Sequence, residues 1–215
     1  MNVLALDAAL GGFSTAVARN GQVAASRSEP GQIALERGLT LVNDVLSDAQ
    51  LGPEQIERLA VGIGPGSFTG LRIAIAYAKS LASVWRRPLV PIDSFDLLEY
   101  GSGLAEMLSV VVGRRDVISA RYRSPSTTRR ASGRIDQVLD ALQLPQAGKL
   151  AVVGGPKDVL DALAERAIIV RAFEPAVTPA AAAAALAAGS RMPPKSLHEV
   201  RADYGELPAA KPPRF

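Results

Sequence analysis

Gly62-Ile63-Gly64-Pro65-Gly66-Ser67-Phe68-Thr69-Gly70-Leu71-Arg72 is the stretch of this chain richest in residues that could do chemistry. It places four glycines, a proline and two hydroxyls between an apolar run at 59–63 and an apolar-periodic segment that starts near residue 68. Gly64 and Gly66 can take positive φ angles, and Pro65 fixes its own φ. Ser67, or Thr69 if the helix starts two residues later, stands where an N-cap belongs. The pattern predicts a tight strand-to-helix turn with bare backbone N–H groups at a helix start, a setting suited to a phosphate or a carboxylate. The same glycines would also serve simply to tighten the turn and let the helix pack closely. The residues alone leave both readings open.

Other chemistries are excluded or weakened by composition. The chain has no cysteine, which removes disulfides, thiolate catalysis and cysteine-ligated zinc. His198, near the proline-rich tail, is the only histidine, so no histidine metal pair exists and a Ser-His-Asp triad is not expected within the chain. With 24 basic and 21 acidic residues, the net charge of +3 is too small to imply nucleic-acid binding. The distribution says more. Arg114, Arg115, Arg121, Arg123, Arg129, Arg130 and Arg134 crowd one interval opposed locally only by Asp116, and read either as a basic face or as a solvated loop. Asp7 and Gly11-Gly12 interrupt the apolar start well short of a signal sequence, and the alanine run 180–188 is too short to span a membrane. A cytoplasmic protein is expected, with no membrane contact.

The elements that must position these groups follow from periodicity. Strands are expected at 1–6, 13–19 and 22–28, the last two joined by Asn20-Gly21, a strong hairpin signal. A helix is expected at 32–50, where Leu35, Leu39, Val42, Val45, Leu46 and Ala49 recur at three- and four-residue spacing, with Gly52-Pro53 stopping it. A strand at 59–63 leads through the glycine loop to a helix at 68–85, in which Gly70, Ala74, Ala78 and Ala82 form a stripe of small residues. That stripe suits either packing on the protein's own sheet or close contact with a partner. A strand at 89–92 and a helix at 94–104, capped by Ser94, complete the first half. Beyond residue 103 come strands at 107–112 and 117–123, a polar, turn-rich segment at 124–134, and helices at 135–142, 158–166 and 179–188 with strands at 150–153 and 168–170 between them. This order predicts an α/β chain of two lobes, 1–103 and 104–190, with a cleft between them and a proline-rich arm, 191–215, expected to be extended and partly disordered.

The residues now in view resemble the bacterial TsaB family, also called YeaZ. GIGPGSFTGLRI at 62–73 is similar to that family's most distinctive motif, NVLALDAA at the N-terminus to its first strand, RGLTLVNDVL to its first long helix, GRRDVISARY to its second-lobe hairpin, and VRADY to its C-terminal arm. The resemblance implies an actin-like fold of the sugar-kinase and Hsp70 type, two lobes of mixed sheet flanked by helices around an interlobe cleft. It further implies a subunit that leaves the final catalytic step to a homologous partner, TsaD. TsaD transfers a threonylcarbamoyl group to N6 of adenosine 37 in tRNAs reading codons that start with A, and a small ATPase, TsaE, joins the pair. In the family the pairing is made chiefly by the two long helices of the first lobe. Carried over, this nominates Leu39, Val42, Leu46, Gly70, Leu71, Ala74, Ile75 and Ala78 as partner contacts, and a homodimer through the same face when the partner is absent.

Departures from the family's pattern bear on the cleft. Ala8 follows Asp7 where the family commonly has a hydroxyl, Ala34 and Leu35 replace a histidine-hydroxyl pair, Gly113 replaces an aspartate, and Gly154-Gly155-Pro156 replaces a Gly-Asn-Gly-like turn. Asp7, Ser14 and the loop residues Gly64, Gly66, Ser67 and Thr69 remain as candidates for a degenerate nucleotide site. The expectation is no catalytic residue, no metal and no cofactor for the lone chain, with ATP or ADP and Mg²⁺ only in an assembled complex. Arg114, Arg115, Arg121 and Arg123 are candidate contacts to tRNA or to the partner. The alternative is a free-standing ATP-dependent phosphotransferase of the same fold, with Asp93 or Asp96 as general base.

Overall fold

The computed structural model describes residues 1–31, 37–113, 117–189 and 195–205. Two mixed five-stranded sheets carry the architecture. The first is built from β1 (Asn2–Asp7), β2 (Phe13–Arg19), β3 (Gln22–Glu29), β4 (Arg58–Gly64) and β5 (Leu89–Asp93), in the order β3-β2-β1-β4-β5. The second contains β6 (Met107–Val112), β7 (Val117–Ser124), β8 (Thr127–Arg134), β9 (Gly148–Val153) and β10 (Ile168–Ala172), in the order β10-β9-β6-β7-β8. Read from its own first strand, the second sheet repeats the first. In each, the opening strand pairs antiparallel with the second and parallel with the fourth. No sequence repeat announces this duplication.

Each face of the first sheet is set by the two-residue period of its strands. Leu4, Leu6, Val17, Leu59 and Val61 point to one side, where they meet α1 (Gly38–Asp48) and α2 (Phe68–Trp85) through Leu41, Val45, Ala74 and Ala78. Val3, Ala5, Ala16, Ala18 and Ala60 point to the other. There the sheet's own side chains are small, and an equally small helix fills the space. That helix is α6 (Pro179–Gly189), whose Ala180 to Ala185 are all buried. Thr178 caps it by accepting from the Ala181 N–H, and Arg58 donates to the Ala187 carbonyl at its far end. Residues 179–189 therefore return to the first sheet instead of belonging to a 104–190 lobe. An alanine run carries no amphipathic stripe that would assign it to one sheet.

Further corrections concern polar segments. The stretch 124–134 is not a turn region: it contains the full edge strand β8, whose alternating exposure comes from TTRRASGR, a sequence without large apolar residues. α4 (Ile135–Leu142) follows it, and α5 (Lys157–Glu165) lies between β9 and β10. α3 (Ser94–Glu99) ends five residues before the expected stop, and its cap is Asp93, which accepts from the Phe95 N–H at 2.8 Å; Ser94 is fully buried inside the first turn. α1 begins at Gly38, and the expected start at residue 32 lies outside the described residues. Within the C-terminal arm, Lys195 bridges to Leu89, the Asp203 N–H donates to the Ile63 carbonyl at 2.7 Å, and Val200 is buried in the first core. This part of the arm is packed along the first lobe; the rest of 191–215 lies outside the described residues.

Candidate functional site: the interlobe cleft

β1 delivers Asp7 to the edge of the cleft and then turns. Asp7 Oδ2 accepts from the Ala9 and Leu10 N–H groups at 3.2 and 3.3 Å, fixing that turn. Its Oδ1 is buried with no hydrogen-bond partner among the described residues, and a Cβ at Gly62 would lie 2.0 Å from it. Burial dominates the backbone hydrogen bonds and pushes the carboxyl up to about 6. Ser14, also buried, donates to the Asp7 carbonyl and accepts from the Ala180 N–H, tying β2 to the first turn of α6. Neither residue lines the cleft.

The glycine loop is spent on chain-to-chain packing. The Ser67 N–H donates to the Ala9 carbonyl at 2.9 Å, and Ser67 Oγ accepts from the Gly70 N–H at 3.2 Å, which makes Ser67, not Thr69, the cap of α2. A Cβ at Gly70 would stand 1.8 Å from the Ala8 carbonyl oxygen, and one at Gly66 would stand 2.4 Å from that of Ala9. Gly64, with φ +110°, passes the Asp203 carbonyl equally closely. Of the two readings left open by the residues, the geometry supports close packing. At least two amides a phosphate would use already donate within the protein.

Beside this loop lies a cleft of about 460 Å³, walled by Ala9, Leu10 and the Ser67–Thr69 turn on one side and by Val110, Val112 and Gly154 on the other. Among the described lining residues Ser67 and Thr69 are the only hydroxyls, and none is charged. A Mg²⁺–nucleotide needs oxygen ligands, carboxylates foremost, together with free donors for its phosphates. This donor set does not fit one. Among the described residues no cluster of acidic or histidine side chains could hold a metal ion.

Charge is concentrated elsewhere, at the seam between the lobes. Asp93, the cap of α3, and Asp96 and Glu99 within it, spaced three residues apart, face Arg121, Arg123 and Arg130 of β7 and β8. Arg121 donates to Asp96 at 2.7 Å and to Glu99 at 2.8 Å, Arg123 donates to Glu99 at 2.8 Å, and Arg130 to Asp93 at 2.6 Å. Arg121 and Arg130 both lie 5.3 Å from the centre of the Phe95 ring. Burial would raise the Glu99 carboxyl, but hydrogen bonds from Arg121, Ser109 and Arg123 hold it below the usual carboxylate range. Two expectations fall here. Arg121, only 6% exposed, cannot reach tRNA, and Arg123 is engaged with Glu99. Asp93 and Asp96 are ion-paired, not poised as general bases. Arg114 and Arg115 lie outside the described residues. Sequence order hid the clamp because its halves sit on opposite sides of the lobe boundary, although the signal was there: carboxylates at i, i+3 and i+6, and cations at i and i+2 of a strand.

The helix face also needs correction. Val42, Leu46, Gly70, Leu71, Ala74, Ile75 and Ala78 are buried in the first lobe's own core, and of the eight nominated contacts only Leu39, 47% exposed, is available to a partner. Among the described residues no helix is long and apolar enough to cross a membrane.

Two lobes of one topology around a cleft, with helices on both faces of the first sheet, define an actin-like ATPase fold. Over 95% of this chain and 100% of the other, the structure is similar to YeaZ from Pseudomonas aeruginosa, with a TM-score of 0.72 at 23% identity. A Bacteroides thetaiotaomicron protein of actin-like ATPase fold and unknown function matches 86% of this chain and 95% of its own, with a TM-score of 0.52 at 12% identity. Both likenesses concern the fold. By sequence, residues 34–189 match the family TsaD, tRNA N6-adenosine threonylcarbamoyltransferase. The Escherichia coli tRNA threonylcarbamoyladenosine biosynthesis protein TsaB is 31% identical over 128 residues, 57% of this chain and 55% of that protein. The chain belongs to this threonylcarbamoyltransferase family and, within it, to the TsaB/YeaZ branch. The matched segments span 40% to 55% of the first curated relatives' length.

Buried Asp7 yields a pH prediction. A carboxyl raised from 3.8 to about 6 binds more protons folded than unfolded between those values, so its ionisation costs stability as pH rises through that window. The cost reaches about 3 kcal/mol above pH 6. Asp7→Asn removes the charge, so its stability relative to wild type should climb between pH 4 and 6 and then level off. Urea titrations across that range measure it; a gap independent of pH would mean Asp7 is not held as described.

Proposed function

We propose that this chain is the non-catalytic partner of a TsaD-type relative in the threonylcarbamoylation of N6 of adenosine 37, in tRNAs that read codons starting with A. The observation that carries this reading is the cleft, apolar and uncharged among its described lining residues, in a fold whose active members need carboxylates there. A relative named for tRNA threonylcarbamoyladenosine biosynthesis gives the pathway. The partner face is the outer surface of α1 and the α1-facing side of α2: exposed Leu39 and Val84, with Ile73, Tyr77 and Leu81 half-buried between them. A second copy of the chain covers this face when the relative is absent, and TsaE joins the assembled pair. Any ATP or ADP with Mg²⁺ belongs to that assembly. The protein works in the cytoplasm.

The test is co-expression with the TsaD relative from the same organism, followed by light scattering and nucleoside mass spectrometry of tRNA. A 1:1 species that forms the modified nucleoside is expected, with neither chain sufficient alone. Leu39→Glu with Val84→Glu should weaken the pair at least ~30-fold, the scale of interface hot spots. Phosphate turnover by the lone chain at enzyme-like rates, or failure to pair at all, would overturn the reading.

A further inference from the structure

On the side of α2 away from α1, the structure joins cations to exposed aromatic rings. Helical spacing separates the two sides: Phe68, Arg72 and Lys79, at steps of four and seven, face the C-terminal arm, whereas Ile73, Tyr77 and Val84 face α1 or solvent beside it. A groove of about 470 Å³ runs between Arg72 and Lys79 on the helix and Arg201 and Tyr204 on the arm. At its end the Phe68 and Tyr204 rings lie 4.8 Å apart at 33°, and the Arg72 guanidinium sits 4.8 Å from the Phe68 centroid. Phe68 is 56% exposed. Arg72, Lys79 and Arg201 have no carboxylate partner among the described residues. Among the described residues of the arm the acids are engaged: Glu199 accepts from Ser196, and Asp203 from the Gly205 N–H.

We infer that this groove binds a single-stranded segment of RNA, its phosphates tracking Arg72, Lys79 and Arg201 and a base stacking on Phe68 and Tyr204. Cations with no carboxylate partner among the described residues, beside accessible rings, are the elements that backbone-tracking, sequence-tolerant nucleic-acid sites use. Because the groove faces away from α1, it stays open when the partner face is occupied. It also takes the role that buried Arg121 cannot fill. The inference rests on the proposed tRNA function only for the source of the RNA.

The experiment is fluorescence anisotropy of the full chain with a labelled single-stranded RNA of about 12 nucleotides, a length within the usual site range, at salt from about 50 to 200 mM. Binding is expected to weaken with salt. Arg72→Ala, Lys79→Ala and Arg201→Ala together should flatten the log–log slope by about 2. Phe68→Ala with Tyr204→Ala should weaken binding roughly tenfold with the slope unchanged. Thermal melts of these surface variants check that each is folded. No binding, or binding indifferent to both sets of variants, overturns the inference, as does an acidic polyglutamate probe that binds through these residues while RNA does not. A complex that modifies tRNA normally with all five residues replaced sinks the groove and spares the proposed function. A chain that binds RNA here yet supports no modification does the reverse.

Discussion

Arg121→Met should cost about 3–5 kcal/mol of stability, the range for breaking a buried ion pair by removing one member. Arg121 reaches Asp96 and Glu99 at once, and both Arg121 and Glu99 side chains are less than one-tenth exposed. Without the guanidinium, Glu99 keeps Ser109 and Arg123 but loses its buried cation, and Asp96 loses the donor it accepts from. The pH dependence carries the same signature. A carboxyl held low in the folded state contributes stability that is present above its unfolded value near 4.5 and is lost as pH falls through the lower folded value. Wild type should therefore lose stability in acid more steeply than Arg121→Met. Urea titrations at neutral and acid pH measure both effects. A loss below about 1 kcal/mol, the scale of a surface pair, would mean the clamp is solvated. Glu99→Met added to Arg121→Met should recover part of the loss, because an apolar pair leaves no stranded charge at that position.

What the clamp does in this fold depends on the cleft beside it. Lobes that close on a nucleotide must be free to move, and here six charged side chains bind α3 to β7 and β8 across the seam. A pinned seam and a cleft uncharged among its described lining residues agree with each other under the proposed non-catalytic role, which asks for no hinge motion.

Local pattern made most of this legible before the structure. Asn20 and Gly21, at φ 51° and 82°, form the hairpin turn their types predict, and the bounds of β2, β6, α2 and α4 follow from periodicity and from the residues flanking them. Three things were not legible, each for a physical reason. β8 carries no large apolar residues, since an edge strand needs only one face covered and its neighbours cover it. The alanine helix has no polar face, so periodicity could not say which sheet it serves. The glycine motif marks a tight turn with equal force whether its amides meet a phosphate or the backbone at Ala8 and Ala9, and only tertiary distances separate the two. The nominated partner face failed in a related way. A small-residue stripe looks alike whether it meets another molecule or the protein's own sheet, and here the sheet takes it.

That last distinction can be forced by two substitutions on one helix. Ala78 is fully buried against the first core, whereas Val84, two turns on, is 77% exposed. Ala78→Glu adds side-chain volume at a fully buried position and places a carboxylate in the apolar cluster that includes Leu4, Val45 and Val61. Overpacking and an unpaired buried charge together should cost on the order of 5 kcal/mol or more, comparable with the whole stability of a small domain. The expected outcome is a chain that fails to fold, with its circular dichroism and its melting transition lost. Val84→Glu lies in solvent and should leave the melt within about 0.5 kcal/mol of wild type, while weakening assembly with the TsaD relative. Had the small-residue stripe been the docking face, the pattern would be inverted: Ala78→Glu would give a folded monomer unable to pair, and Val84→Glu would pair normally. A well-folded Ala78→Glu protein would thus overturn the core assignment and return the stripe to the partner.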